Sequence, residues 1–349
     1  MGKNYSGAVT RERLALALTV VVAASLDLHN LSSQPFWLDE ALSDAVASSH
    51  GMSFVKLAFE TEVGMAFYYL TLHGWLMLVP PSDFDIRLLS TIFAVAAVPA
   101  FFLLATKLFG PPIGLTSAVL LAVNPFFISY AQEARSYTLT VFLTLVSWSF
   151  VVESCREPRL LNLAIYVCAT TLAIYSHNLA MLILPAQGSA VLYLQRDNEK
   201  RVRIASAIFA VSLLVLPLFF IEAPFFRANA GWIAAGIGPP GLRSLREVAV
   251  SFAGARIPPR IRQRLLEALF AIGFCMYLGQ LARASRDGSP ETGNYMCVAA
   301  AFGIPIALLM VVSQVFPLFI VRYVLICLPF LLLMIATGWI RNVGRPPWG

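Results

Sequence analysis

The sequence predicts an all-α polytopic membrane protein, and three observations carry that prediction. Of its 349 residues, 58% are hydrophobic and only 13% charged, with a mean hydropathy of +0.75, outside the usual range of water-soluble domains. The apolar residues gather into runs of spanning length, about 20 residues each. Most Lys and Arg residues sit in the short connectors between those runs, where they set topology. The net charge of +6 is thereby accounted for, and no nucleic-acid partner is expected. Cys155, Cys168, Cys275, Cys297 and Cys327 lie in or beside apolar segments without CxxC spacing or a His partner, so they read as packing residues.

Ten apolar runs can be marked, near 14–31, 86–106, 113–131, 137–154, 160–176, 178–195, 204–222, 265–283, 295–314 and 317–340. In the first, Lys3, Arg11 and Arg13 precede a short core ending in Val22-Ala23-Ala24-Ser25, so a cleaved leader is the alternative to a span. Either way the chain that follows begins outside. The stretch EVGMAFYYLTLHGWLMLV, 62–79, has the length of an eleventh span. If it does not cross, Lys3/Arg11/Arg13, Lys107, Arg156/Arg159, Arg196 to Arg203, Arg283/Arg286 and Arg341/Arg345 all fall on the cytoplasmic side. If it crosses, every later cluster is inverted. It therefore reads as a re-entrant or interfacial helix, with Tyr68, Tyr69 and Trp75 as interfacial anchors and His73 packed.

That topology gives one domain over 1–349 with no separate soluble part. It places on the outer face the first loop 32–85, the turn at Gln132 to Arg135, the turn at Ser176-His177-Asn178, the loop 223–263 and the turn 314–322. In the first loop, LDEALSDAVAS puts Leu38, Ala41, Leu42, Ala45 and Val46 at helical spacing, a short helix along the membrane surface. The 223–263 loop, with Gly236 to Gly241 and Ile257-Pro258-Pro259, is expected to be irregular. Its arginines, Arg243, Arg246, Arg256, Arg260, Arg262 and Arg264, could touch anionic head groups or simply form a solvated face.

Taken alone, the adjacent acids Asp39 and Glu40 read equally well as helix-capping charges favoured by the helix dipole. Glu133 and Arg135 read as an interfacial ion pair, His177 as a hydrogen-bonded interfacial residue, and Arg322 as a snorkelling side chain.

The ordered set changes the weight. FWLDEA after the first span, AFYYLTLHGWL followed by DIRLLSTIFA, LLAVNPFFISYAQEARSYTL, YSHN, and VRYVLICLPFLLLMIATGWI together resemble the multispanning glycosyltransferases of the GT-C class. The likeness is to the branch of protein O-mannosyltransferases and lipid A aminoarabinose transferases (families 39 and 83), and it runs over about residues 10–340. It implies the GT-C fold, with about ten transmembrane helices plus interfacial helices in the first outer loop. It also implies a sugar donor on a polyprenyl phosphate, an active site at the outer face, and the first-loop acid, here Asp39, as catalytic base of an inverting transfer. Glu40 and Glu133 are then further catalytic candidates. Arg322, Arg135, Tyr323 and His177 are candidates for the donor phosphate, and Glu62, Gln132 and Tyr137 line the site. Where the mannosyltransferases carry His-Pro-Pro and the aminoarabinose enzymes Lys-Pro, this chain has Glu62-Val63-Gly64-Met65. That departure leaves the donor sugar, and the choice of lipid, glycan or protein acceptor, open.

The chemistry agrees with the resemblance. Transfer from a glycosyl phosphate needs a base for the acceptor hydroxyl and cations for the leaving phosphate. Asp39 supplies the first, and Arg322, whose guanidinium can bind phosphate bidentately, the second. No P-loop or GxGxxG is present and no nucleotide is expected. A divalent cation, Mg or Mn, could bridge the phosphate and Glu133. The expected setting is a bacterial inner membrane, with the N-terminus cytoplasmic and the site periplasmic, among membrane lipids. The competing readings are a transporter or flippase, whose charges should lie at the bilayer midplane within repeats, and an inactive scaffold of the same fold.

Overall fold

In lipid every backbone polar group must be paired internally, and the chain meets this with helices alone. The computed structural model describes residues 2–236, 238–254 and 260–343, and contains no strand among them. Arg256, Ile257-Pro258-Pro259 and Arg345 lie outside the described residues. After α1 (Gly2–Leu28) come three short helices, α2 (Leu38–Ala47), α3 (Met52–Thr61) and α4 (Ala66–Leu76). They are followed by α5 (Asp83–Phe109), α6 (Pro111–Ala122), α7 (Pro125–Ala131), α8 (Tyr137–Arg156), α9 (Leu160–Ser176) and α10 (Ile183–Leu194). The C-terminal part holds α11 (Asn198–Gly236), α12 (Leu242–Phe252), α13 (Arg260–Arg286), α14 (Thr292–Val312) and α15 (Leu328–Val343). Short 3-10 turns at 63–65, 178–182 and 321–327 join them.

All ten apolar runs fall on helices, but not as ten independent crossings. Six helical stretches, 83–109, 137–156, 198–224, 261–286, 292–312 and 321–342, are long and apolar enough to cross a membrane. α6 and α7 make a seventh if their 61° bend is taken within one span. Asn124 is the cause of the break: it caps α7 by accepting the Phe127 N–H at 3.0 Å, with Pro125 at the first helical position, where its missing N–H costs nothing. The 160–176 and 178–194 segments are shorter, and in α1 Arg11, Glu12, Arg13 and Asp27 bracket the apolar stretch and shorten it.

The 62–79 stretch holds only one 11-residue helix, α4, about 16 Å long against a hydrocarbon core of about 30 Å. Tyr68 and Tyr69 on it are 1% and 0% exposed, so they are core residues rather than the interfacial anchors expected. Trp75 donates to the Asp85 carbonyl at 2.8 Å. His73 packs as expected, stacked on Phe54 with its Nδ1 2.7 Å from the Ala47 carbonyl.

The irregular loop expected from residue 223 is corrected. α11 continues to Gly236 through Pro217 and Pro224, and α12 occupies 242–252. The breakers concentrate only from Gly236 onward, and a proline inside a long helix removes one hydrogen bond without ending it. Arg243 and Arg246 on α12, and Arg262 and Arg264 at the start of α13, are exposed. Cys155, Cys297 and Cys327 are buried, whereas Cys168 and Cys275 lie on the outer surface of their helices.

The core runs along α5, α8 and α15, where Phe101, Leu104, Trp148 and Phe330 are 0–1% exposed and the last two meet edge to face at 5.2 Å. These three helices give the molecule two chemically different ends. α5 runs from Arg87 to Lys107, α8 from Tyr137 to Arg156, and α15, entered through the 321–327 turn, from Arg322 to Arg341. At the far end Lys107 pairs with Glu153 at 2.9 Å, and Arg341 with Glu291. The near end gathers the residues singled out in the sequence.

Candidate active site

α2 carries both acids of FWLDEA in its first turn, and the helix sends them different ways because successive residues point about 100° apart. Glu40 turns inward and is 1% exposed. Its two oxygens meet Arg87 Nε and Nη2, each at 2.7 Å, and Oε1 also accepts the Ala134 N–H at 2.9 Å. Arg87 spends its remaining nitrogen, Nη1, on the carbonyls of Leu31 and Gln34, at 3.0 and 2.8 Å. Glu40 is therefore a fastener between α2, the linker before it, α5 and the 132–136 turn. Expected as a catalytic candidate, it has its carboxylate engaged by Arg87 and the Ala134 N–H. Arg87 escaped the sequence reading, although a signal was there. An arginine at the head of the apolar run DIRLLSTIFA needs a buried partner.

Asp39, turned about 100° from Glu40 around the helix, is half-buried, with Oδ2 3.2 Å from Arg322 Nη1. Arg322 lies between two rings, its guanidinium carbon 5.5 Å from the Trp37 centroid and 5.6 Å from that of Tyr323. Its Nε is buried without a hydrogen-bond partner. Beside it His177 contacts the Tyr323 and Tyr137 rings at 5.2 and 5.7 Å. Burial, with the nearby Arg135 charge, lowers the His177 pKa to about 4, so the imidazole is neutral at neutral pH and offers hydrogen bonds rather than charge.

The QEARSY turn is stitched to α5: Ser90 donates to the Arg135 carbonyl, Thr91 to that of Ala131, and Thr138 to that of Ser90, at 2.8–3.1 Å. Gln132 lines the cavity between the end of α1 and α7. It caps the end of α1, donating to the carbonyls of Asp27 and His29 at 3.1 and 2.9 Å. Arg135 is 4% exposed and its guanidinium grips Glu62 through two bonds of 2.8 and 3.1 Å. The guanidinium expected at the donor phosphate is paired here with Glu62. Burial raises the Glu62 carboxyl, but the Arg135 guanidinium and the Tyr69 hydroxyl, 2.8 Å away, outweigh it and hold it below its usual range.

Glu133 is different. One of its oxygens is buried without a hydrogen bond, and burial together with the Glu40 charge raises its pKa to about 7, against the opposing pull of Arg322 and Arg135. A carboxyl with that poise can hold or release a proton near neutral pH.

The Glu62-Val63-Gly64-Met65 departure has a structural counterpart. A Cβ on Gly64 would collide with the Glu222 carboxylate and come within 3.1 Å of the Asn178 amide, which donates to both Glu222 oxygens at 3.1 and 3.0 Å. Glycine here lets α11 and the 178–182 turn close on the first loop. Neither Glu222 nor Asn178 stood out in the sequence.

The donor set for a cation is incomplete. Among the described residues no three of His, Cys, Asp and Glu converge to hold a metal, since Glu40 is taken by Arg87, Glu62 by Arg135, and Asp39 faces Arg322.

The family model described as dolichyl-phosphate-mannose-protein mannosyltransferase matches residues 65–223, a stretch that contains Arg87, Glu133, Arg135, His177 and Glu222. Among solved structures, ArnT from Cupriavidus metallidurans bound to undecaprenyl phosphate superposes with a TM-score of 0.63 at 12% identity, over 93% of this chain and 60% of that one. The oligosaccharyltransferase of Archaeoglobus fulgidus in its apo form gives 0.61 at 13% identity, over 95% and 51%. The same archaeal enzyme with an inhibitory peptide and a dolichol-phosphate gives 0.58 at 11%. The chain has the GT-C fold. This GT-C chain spans between about half and 60% of the length of those structures. A search of curated protein sequences finds no match.

Proposed function

We propose that the chain is a membrane glycosyltransferase that moves a sugar from a polyprenyl phosphate to an acceptor hydroxyl at the outer face of a bacterial inner membrane. The observation that carries this is the meeting of Asp39 and Arg322, from opposite ends of the sequence, at 3.2 Å in an aromatic wall of Trp37, Tyr323, His177 and Tyr137. A carboxylate and a guanidinium side by side are what a transfer from phosphate needs. The acceptor oxygen attacks the anomeric carbon while its proton passes to Asp39. The bond from that carbon to the phosphate oxygen breaks, its electron pair stays on the phosphate, and Arg322 holds the growing charge. Attack opposite the leaving phosphate inverts the anomeric centre.

The fold supports the reading, as does the undecaprenyl phosphate in one structure of the same fold. The outer-face assignment rests on the basic clusters at the far ends of α5, α8 and α15. A transporter is disfavoured because the ionisable residues cluster at helix ends and in turns. With the donor set short of a cation site, no step is routed through a metal.

The test is binding of undecaprenyl phosphate to the purified chain in nanodiscs. Arg322→Ala should weaken it at least tenfold, and Arg322→Lys should recover only part, because ammonium keeps the charge and loses the planar fork. Equal affinity in the wild type and Arg322→Ala would remove Arg322 from the site and the reading with it.

A further inference from the structure

Between the end of α1, the 29–37 linker and α7 lies a cavity of about 780 Å³ with Trp37 and Glu133 in its wall. That volume is in the range of sites that enclose a small organic ligand. Trp37 and Glu133 both belong to its lining: the first lies under the Arg322 guanidinium, and the second is near enough to feel the charges of Arg322 and Asp39. The cavity therefore adjoins the reacting pair without containing the phosphate-binding arginine.

Its chemistry is selective. The ionisable residues in the lining are Glu40, Arg87, Glu133 and His29, whose Nε2 lies 3.1 Å from the Asn30 amide nitrogen. The first two neutralise one another through paired 2.7 Å bonds, so no uncommitted lysine or arginine faces the space. An acceptor bearing phosphate or carboxylate at this point would meet no free guanidinium or ammonium and would have Glu133 as a repulsive neighbour when ionised. What the walls offer instead are amides and hydroxyls, Asn30, Gln34, Gln132 and Ser129, beside the indole of Trp37, which is 42% exposed. Amides and hydroxyls match alternating hydroxyl groups, and an exposed indole face suits the apolar face of a pyranose ring. Asn30 holds the linker in a left-handed turn at φ 59°, a conformation that Asn tolerates better than most residues.

We propose that this cavity is the acceptor subsite and that it takes a neutral saccharide, presenting a ring hydroxyl toward Glu133 and Asp39. The proposal rests on the glycosyl-transfer reading above and names its acceptor class. Glu133 orients the hydroxyl by hydrogen bonding, and Asp39 receives its proton.

The experiment uses the full chain in nanodiscs against an array of neutral oligosaccharides, with phosphorylated and carboxylated saccharides and Ser/Thr-containing peptides alongside. Undecaprenyl phosphate binding is measured in parallel. Wild type should retain neutral members preferentially. Ser129→Trp, which fills the cavity from α7, should lose that retention at least tenfold while binding undecaprenyl phosphate as wild type does. Gln34→Leu, an exposed and smaller change, serves if the tryptophan variant does not fold, and should weaken saccharide retention severalfold. Preference for acidic saccharides or peptides, no retained saccharide at all, or unchanged retention in both variants would overturn the assignment. Undecaprenyl phosphate binding that survives Arg322→Ala would instead count against the glycosyl-transfer reading itself.

Discussion

Replacing Asp39 by Asn should do two opposite things at once: slow sugar transfer and tighten binding of the donor phosphate. In the ligand-free protein the Asp39 carboxylate lies 3.2 Å from the Arg322 guanidinium, so an incoming phosphate must compete with it. Two unit charges at that separation attract by about 5 kcal/mol at an effective dielectric near 20. The side chains are 23% and 25% exposed, so water offsets most of this, leaving about 1–2 kcal/mol. Removing the competing charge should therefore tighten undecaprenyl phosphate about 5- to 30-fold, since 1.4 kcal/mol is a factor of ten. Transfer should nevertheless fall about 10²–10⁴-fold, the usual range for loss of a positioned base. Titration of undecaprenyl phosphate into nanodisc-embedded wild type and Asp39→Asn measures the first, and label transfer from a polyprenyl-phosphate sugar the second. If Asp39→Asn bound phosphate more weakly than wild type, Asp39 would be a donor ligand, not the competitor for Arg322 argued above. If it transferred sugar at the wild-type rate, it would not be the base.

Three other outcomes follow from the same geometry. Arg87→Met should destabilise the protein by about 3–5 kcal/mol because it strands the buried Glu40 carboxylate, and thermal unfolding in detergent should show the double variant Arg87→Met/Glu40→Gln recovering much of that loss. Glu133, raised from 4.5 to about 7 by burial and the Glu40 charge, binds more protons folded than unfolded, so its contribution is fully present below about pH 4.5 and is lost as pH rises through about 7, at most about 3 kcal/mol in all. Unfolding followed from pH 4.5 to 8 should show a smaller loss in Glu133→Gln than in wild type. Gly64→Ala should drive the Glu222 carboxylate and Asn178 apart and lower the unfolding temperature, whereas Gly74→Ala, which has open space around its Cβ position, should not.

Much of the fold was legible because lipid leaves the backbone few choices. The apolar runs had to be helices, the basic connectors marked one end of the bundle, and the 62–79 stretch, apolar yet containing only an 11-residue helix, was already suspect as a span from the charges on either side. The order of its motifs, by resemblance, also singled out Asp39 and Arg322 as the proposed base and phosphate-holding cation. It misjudged 223–236, where scattered prolines look like breakers but sit inside a helix already under way.

What only the tertiary structure decided is which of these groups remain free. In sequence Glu40, Glu62, Arg135 and Gln132 are indistinguishable from Asp39, Glu133 and Arg322, since all are polar residues at the mouth of apolar runs. Folding commits the first set to Arg87, to one another and to the end of α1. It leaves Asp39 facing Arg322 beside a cavity, and Glu133 with an unpaired oxygen. The physical reason is that burial cost depends on partners. A charged group in a low-dielectric interior is stable only when its counter-charge arrives from elsewhere in the chain, and those partners, Arg87 for Glu40 and Glu62 for Arg135, are brought by helices whose packing no local pattern encodes.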